Sequence, residues 1–207
     1  MGWMNFVCWN CGSVAGGRFC SSCKALQPPA TDYFEFFELP RQLDLDQRDL
    51  EKRFYSLSRQ LHPDLFSRKS AREQDYSLEA TAVLNDAYRA LKDPVTRALY
   101  VLKQEGFDTG EQTTKDVPPE LLEEVFELNM ALEELRMGDD DALPQLEAAR
   151  LRFETMRDET DAEMRSKFAA WDASHDPNIL AEIRGLLNRR KYITNLIDKA
   201  SHVPDRV

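Results

Sequence analysis

From residue 46 to residue 92 the chain carries two amphipathic helical patterns interrupted once, by His62-Pro63-Asp64. At 100° per residue, Leu50, Phe54, Leu57 and Leu61 fall within one ~60° sector of the first pattern. Arg48, Lys52, Tyr55 and Arg59 fall within a similar sector on the opposite side. Pro63 ends that helix, because it restricts the residue before it and brings no N–H donor. The second pattern starts near Ser70 and runs to Lys92, with Ala80, Leu84, Ala87, Tyr88 and Leu91 as its apolar positions. Two such stripes joined by a short break pack as an antiparallel hairpin. His62, Pro63 and Asp64 then sit at its tip, and a basic strip runs up to them.

Short helices flank the hairpin. Residues 32–39 form one that Pro40 stops, and Asp44 or Asp46 caps the first long helix. Asp93-Pro94 breaks the chain, and Val95, Leu99 and Leu102 mark a last short helix ending at Gly106. His175-Asp176-Pro177 is a useful contrast. No basic helix precedes it, and Asp176-Pro177 reads as a cap and first turn. His202 has no partners in the pattern and is expected to face solvent.

The segment 32–106 resembles the J-domain family. The resemblance rests on the Tyr33 segment, the basic helix, His62-Pro63-Asp64, the Asn85-Asp86-Ala87-Tyr88 stretch and Asp93-Pro94. It implies that His62, Pro63 and Asp64, supported by Arg48, Lys52, Tyr55 and Arg59, dock on an acidic region of a DnaK-type ATPase and stimulate it. The residues suit that role. Asp64 can pair with a partner arginine, Pro63 limits the entropy lost on binding, and a basic strip speeds encounter with an acidic surface.

All four cysteines lie near the N-terminus, as Cys8-x2-Cys11 and Cys20-x2-Cys23. Two such turns complete a tetrahedral thiolate shell with no open position, which points to a structural zinc knuckle or ribbon. Iron remains an alternative metal, and disulfides or a thiol redox site are alternative uses. Gly12, Gly16 and Gly17 are expected to let the chain turn tightly around the site. Trp3, Phe6, Trp9 and Phe19 are expected to pack locally, and Gln27-Pro28-Pro29-Ala30 reads as a linker.

Three further helical patterns follow a polar stretch that ends at Pro118-Pro119. They span roughly 120–136, 143–173 and 177–200, with short connections that favour an antiparallel three-helix bundle. Leu121, Val125, Leu128, Leu132 and Leu135 form the first core stripe. Leu146, Ala149, Phe153, Met156, Thr160, Met164, Lys167 and Trp171 follow a rough heptad on the second. Ile179, Ile183, Leu186, Ile193, Ile197 and Ala200 do so on the third. Lys167 and Arg190 interrupt the stripes and are expected to snorkel. Leu122, Phe126 and Met130 make a second ridge on the first helix, bordered by Glu123, Glu127 and Glu134. Its spacing fits equally a wide buried arc and a docking groove with a carboxylate rim.

A J-domain, a short linker and a three-helix bundle are together similar to the HscB family of co-chaperones in iron–sulfur cluster assembly, over roughly 32–200. That resemblance places contacts to an IscU-like scaffold at Leu122, Phe126 and Glu127, with Glu123, Met130, Glu134 and Tyr192 alongside. Met130 departs from a family position that usually carries charge.

The expected organisation is an all-α chain. Residues 1–27 form the tetracysteine segment, 28–106 the J-domain, 107–119 a linker and 120–207 the C-terminal bundle. The expected function is delivery of an IscU-like scaffold to an HscA-type or DnaK-type chaperone, with no catalysis by the chain itself. Alternatives are a J-protein for another client, a zinc-ribbon nucleic-acid adaptor and a thiol redox enzyme. A net charge of −10 weighs against nucleic acid. No apolar run approaches the ~18 residues of a membrane span, and residues 1–7 show no secretory signal. A cytoplasmic protein is expected, as monomer or homodimer.

Overall fold

The computed structural model describes residues 6–107 and 121–201 and divides into two compact units, 1–101 and 102–207. Trp3, His202 and all but residue 107 of the expected 107–119 linker lie outside the described residues.

The first unit opens with a two-stranded antiparallel hairpin, β1 (Phe6–Val7) with β2 (Val14–Ala15), in which Val7 faces Val14. Four helices follow: α1 (Tyr33–Phe37), α2 (Gln47–Leu61), α3 (Ala71–Lys92) and α4 (Pro94–Gln104). Each starts where a side chain can satisfy its free N–H groups. Asp32 accepts from Glu35 N, and Asp46 rather than Asp44 accepts from the backbone of Arg48 and Asp49. Ser70 and Glu73 make a reciprocal capping box on α3, and Asp93 accepts from Val95 and Thr96.

Helices α2 and α3 form the expected hairpin. Leu50, Leu57 and Leu61 of α2 and Ala80, Leu84, Ala87 and Leu91 of α3 are buried, while Phe54 is half-buried and stacks on Tyr88 at 4.2 Å. On α4 the buried residues are Ala98, Val101 and Leu102; Leu99 is exposed and Val95 half-buried, so the inner face is rotated from the expected one. The cause is Arg97. Its buried guanidinium donates to the carbonyls of Leu43 (2.8 Å) and Leu91 (2.7 Å), turning that side of the helix inward.

The second unit holds α5 (Leu122–Arg136), α6 (Leu143–Ser174) and α7 (Pro177–Ser201). Gly138, at φ +90°, ends the α5 segment, and His175, at φ +53°, closes α6. Asp176 caps α7 through the N–H of Asn178. Leu121, Leu128, Ala131, Leu132 and Leu135 pack with Leu146, Ala149 and Phe153 of α6 and Ile193, Leu196 and Ile197 of α7. At 15 residues α5 is about 22 Å long. It therefore spans only part of the α6–α7 hairpin.

Beyond it α6 and α7 are tied by charge. Arg190 does not merely snorkel but clasps Asp161 (Nε to Oδ1, 2.6 Å), and Lys167 pairs with Glu182. Lys167 is not on the core stripe; Phe168 is buried in that place. From Thr160 to Phe168 the buried positions step by four, as an unsupercoiled helix of 3.6 residues per turn drifts off a heptad. On α7 Leu180 is buried and Ile179 only half so. Among the described residues, no helix is long and apolar enough to cross a membrane.

Candidate functional site

The hairpin tip is built by the end of α2. His62 leaves the helix in an extended conformation (φ −57°, ψ 128°), and Pro63–Phe66 form a single 3-10 turn. The ring of His62 caps that turn: Nδ1 accepts from the N–H of Asp64 at 3.3 Å. Leu65 N–H closes the turn on the His62 carbonyl at 2.9 Å. Phe66 is buried and anchors the far side. Both polar side chains of the tip stay in solvent, that of Asp64 90% and that of His62 57% exposed.

Arg48, Lys52, Tyr55 and Arg59 are all exposed along α2. None of the ion pairs found among the described residues engages Arg48, Lys52 or Arg59. Arg53, a turn away from that strip, is spent internally on Asp49 and on the carbonyls of Phe37 and Glu38. The tip and its strip thus present exposed cations beside a solvent-facing carboxylate and imidazole that contact one another.

The four cysteine sulfurs lie within 4.8 Å of one another and form a set that could hold a metal ion. Each Cys-x-x-Cys turn closes at its fifth residue. Gly12 does this at φ +73° and Lys24 at φ +60°, so the second turn puts a lysine in the left-handed region that favours glycine. Gly16 and Gly17 do not adopt positive φ. Cys8 and Cys23 sulfurs are 3.7 Å apart, as are those of Cys11 and Cys20, far beyond a disulfide bond. Burial would push the Cys8 thiol up, but the backbone N–H groups of Cys11 and Asn10, with the neighbouring thiols, bring it down to about 6. The N–H groups that point at the sulfurs include Asn10 N (3.4 Å) and Gln27 Nε2 (3.4 Å) at Cys8, and Asn10 Nδ2 (3.5 Å) at Cys23. Such donors suit thiolates that carry charge to a cation.

Gln27 is therefore not linker but part of this clip, with 1% exposure. The clip is fastened to the helices. Trp9 donates to the Leu26 carbonyl (2.8 Å), meets Tyr76 edge-on and lies under the guanidinium of Arg72. Arg18 donates to the Phe36 carbonyl (2.5 Å) and to Glu38. Phe6 packs on the cysteine cluster, whereas Phe19 is partly exposed.

On α5 the second ridge is open. Leu122 is 55%, Phe126 65% and Met130 49% exposed, although the other face of the same helix is buried. Glu123 and Glu127 are exposed and Glu134 half-exposed beside it. Glu127 is held by Arg152 of α6 at 2.8 Å. A groove of about 390 Å³ runs between Met130, Glu127 and Glu134 on one side and Gln145, Ala148 and Arg152 on the other. Tyr192 is half-buried and packs on the core beneath α5 rather than standing free; burial pushes its phenol up. Arg152 and Ala148 escaped the sequence reading because they belong to another helix. The signal available was their spacing: 145, 148, 149 and 152 share one face of α6.

A helical hairpin with an exposed His-Pro-Asp tip and a basic flank defines a J-domain protein. The DnaJ domain family matches residues 32–100, and the family described as the HSCB C-terminal oligomerisation domain matches residues 117–201. The iron–sulfur cluster co-chaperone protein HscB of Mus musculus is 32% identical over 199 residues, covering 93% of this chain and 80% of that protein. A co-chaperone HscB homologue of Aliivibrio salmonicida is 43% identical over 110 residues, covering 53% of this chain and 64% of its own length. The crystal structure of human HscB superposes with a TM-score of 0.66 at 30% identity, over 93% of this chain and 95% of that one. HscB from Vibrio cholerae does so with a TM-score of 0.59 at 28% identity, over 82% and 94%. The chain belongs to the HscB family of co-chaperones.

Proposed function

We propose that the chain brings an IscU-like iron–sulfur scaffold to an HscA-type or DnaK-type chaperone and stimulates ATP hydrolysis there. His62, Pro63 and Asp64 would engage the ATPase. Arg48, Lys52, Tyr55 and Arg59 would steer and hold its acidic surface. Leu122, Phe126 and Met130 would seat the scaffold, with Glu123, Glu127, Glu134 and Tyr192 around them. The chain hydrolyses nothing in this reading; it lowers a barrier on its partner.

The observation that carries the reading is a division of exposed surface within one chain. The tip offers solvent-exposed charge, and α5 offers an uncovered apolar ridge with a carboxylate rim. Apolar area of that kind is the usual centre of a protein interface, and the rim sets its specificity. The experiment is titration of the purified chain with an IscU-like scaffold, followed by ATPase assays with a DnaK-type chaperone. Binding plus stimulation supports the reading. Stimulation without scaffold binding favours a J-protein for another client.

The clip is proposed to hold zinc. A tetrahedral ion with metal–sulfur bonds of about 2.3 Å sets sulfurs about 3.8 Å apart, close to the two 3.7 Å separations here. Four thiolates leave no position for water, so the ion would be structural. Metal analysis with visible spectroscopy separates zinc from iron, since only iron tetrathiolate is coloured.

A further inference from the structure

We infer that Ser77 of α3 is a positioning residue for the His62-Pro63-Asp64 tip, acting through the carbonyl of Leu61. The last carbonyls of a helix lack partners of their own. At the end of α2 the chain turns extended at His62; Pro63 has no N–H, that of Asp64 goes to the His62 ring, and that of Leu65 closes on the His62 carbonyl rather than on Leu61. Leu61 is fully buried, so its carbonyl needs a donor from within the protein.

Ser77 supplies it. Its hydroxyl donates to the Leu61 oxygen at 2.7 Å, from a residue with no exposure at all. A serine inside a helix ordinarily bonds back to its own preceding turn. Here the hydroxyl reaches across to α2 instead. Thr81 lies 3.4 Å from the same oxygen but has one hydrogen to give, and its better acceptor is the Ser77 carbonyl at 2.8 Å. The bond therefore runs from Ser77 to the peptide group that precedes His62. Because that peptide is shared with His62, the bond sets the direction in which the tip leaves the helix. Ser77 lies three residues before Ala80, on the apolar stripe that also holds Leu84 and Leu91. A hydroxyl there is costly unless it is used.

The geometric part stands on these contacts, and the effect on ATP hydrolysis rests on the co-chaperone reading. The test uses the full chain carrying Ser77→Ala, with Ser77→Thr as the variant that keeps the donor. Backbone NMR and amide exchange report on Leu65 without any partner. Exchange at Leu65 should quicken about five- to tenfold in Ser77→Ala and return toward wild type in Ser77→Thr. With the chaperone present, Ser77→Ala should raise the half-saturating concentration for stimulation by a similar factor and leave scaffold affinity unchanged. If Ser77→Ala does not fold, Ser77→Cys, similar in size but a weak donor, takes its place with the same expectations. Unchanged exchange at Leu65 in the folded variant overturns the inference, whatever the ATPase does. Faster exchange with a wild-type chain that stimulates nothing would sustain the positioning role and sink the co-chaperone reading instead.

Discussion

The ring of Trp9 meets that of Tyr76 edge-on, 6.1 Å between centroids, and through it the cysteine clip leans on the first turns of α3. The same region of α3 carries Glu73, which completes the capping box and also accepts from the N–H of Leu26 at 3.5 Å. The clip and the helical hairpin share residues at this junction. The buried cluster around the cysteines is made by Cys8, Ala15 and Cys20 with Phe6 and Cys23, and includes none of the hairpin core residues Leu50, Leu57, Leu61, Leu84 and Leu91.

That separation gives a prediction for metal loss. Replacing Cys8 and Cys11 together by Ser should abolish binding of the metal proposed for the clip and shift the fluorescence of Trp9, while helical circular dichroism at 222 nm is retained. A collapse of the helical signal would mean that the helices depend on the clip for folding.

Surface and core on α5 should answer differently to truncation. Phe126→Ala removes an exposed ring, so stability should change by no more than about 0.5 kcal/mol. Scaffold affinity should fall by roughly 1–3 kcal/mol if the ring is an interface anchor. Leu128→Ala, two residues away and fully buried, should cost about 2–5 kcal/mol of stability by leaving a cavity. Thermal unfolding and calorimetric titration of both variants separate the two effects. Unchanged affinity in folded Phe126→Ala would remove this ridge from the scaffold site.

Gly185 lies inside α7 with ordinary helical dihedrals, and a Cβ added there meets nothing within 4 Å. Gly185→Ala should therefore stabilise the chain by about 0.5–1 kcal/mol, through the entropy of the unfolded state. Chemical denaturation is the measurement. A loss of stability would mean that α7 needs the glycine for a contact absent from this structure.

Much of the J-domain was legible because its signals are local. Helical period, Pro63 and Asp46 each act within a few residues, and they suffice to place the tip and its basic strip. What escaped depends on contacts between elements. Gln27 stands in a proline-rich stretch and reads as linker until Cys8 is brought beside it. Ser77 looks like a lapse in an apolar stripe until the end of α2 is placed against it. Arg97 turns α4 by reaching two carbonyls, one of them 54 residues away in sequence. Lys167 fits a heptad that α6 does not keep, and Phe168 takes the buried position. On α5 the spacing of Leu122, Phe126 and Met130 could not separate burial from display. Only the packing of Leu128, Ala131 and Leu135 shows which face is already used.

The most direct test of the co-chaperone account is single-turnover ATP hydrolysis by a DnaK-type chaperone, with the wild-type chain and with His62→Gln. The substitution removes the imidazole that caps the tip but leaves α5 untouched. The account predicts that the wild-type chain accelerates hydrolysis and that His62→Gln does not, while both bind the scaffold equally. Equal acceleration by the two proteins would contradict it.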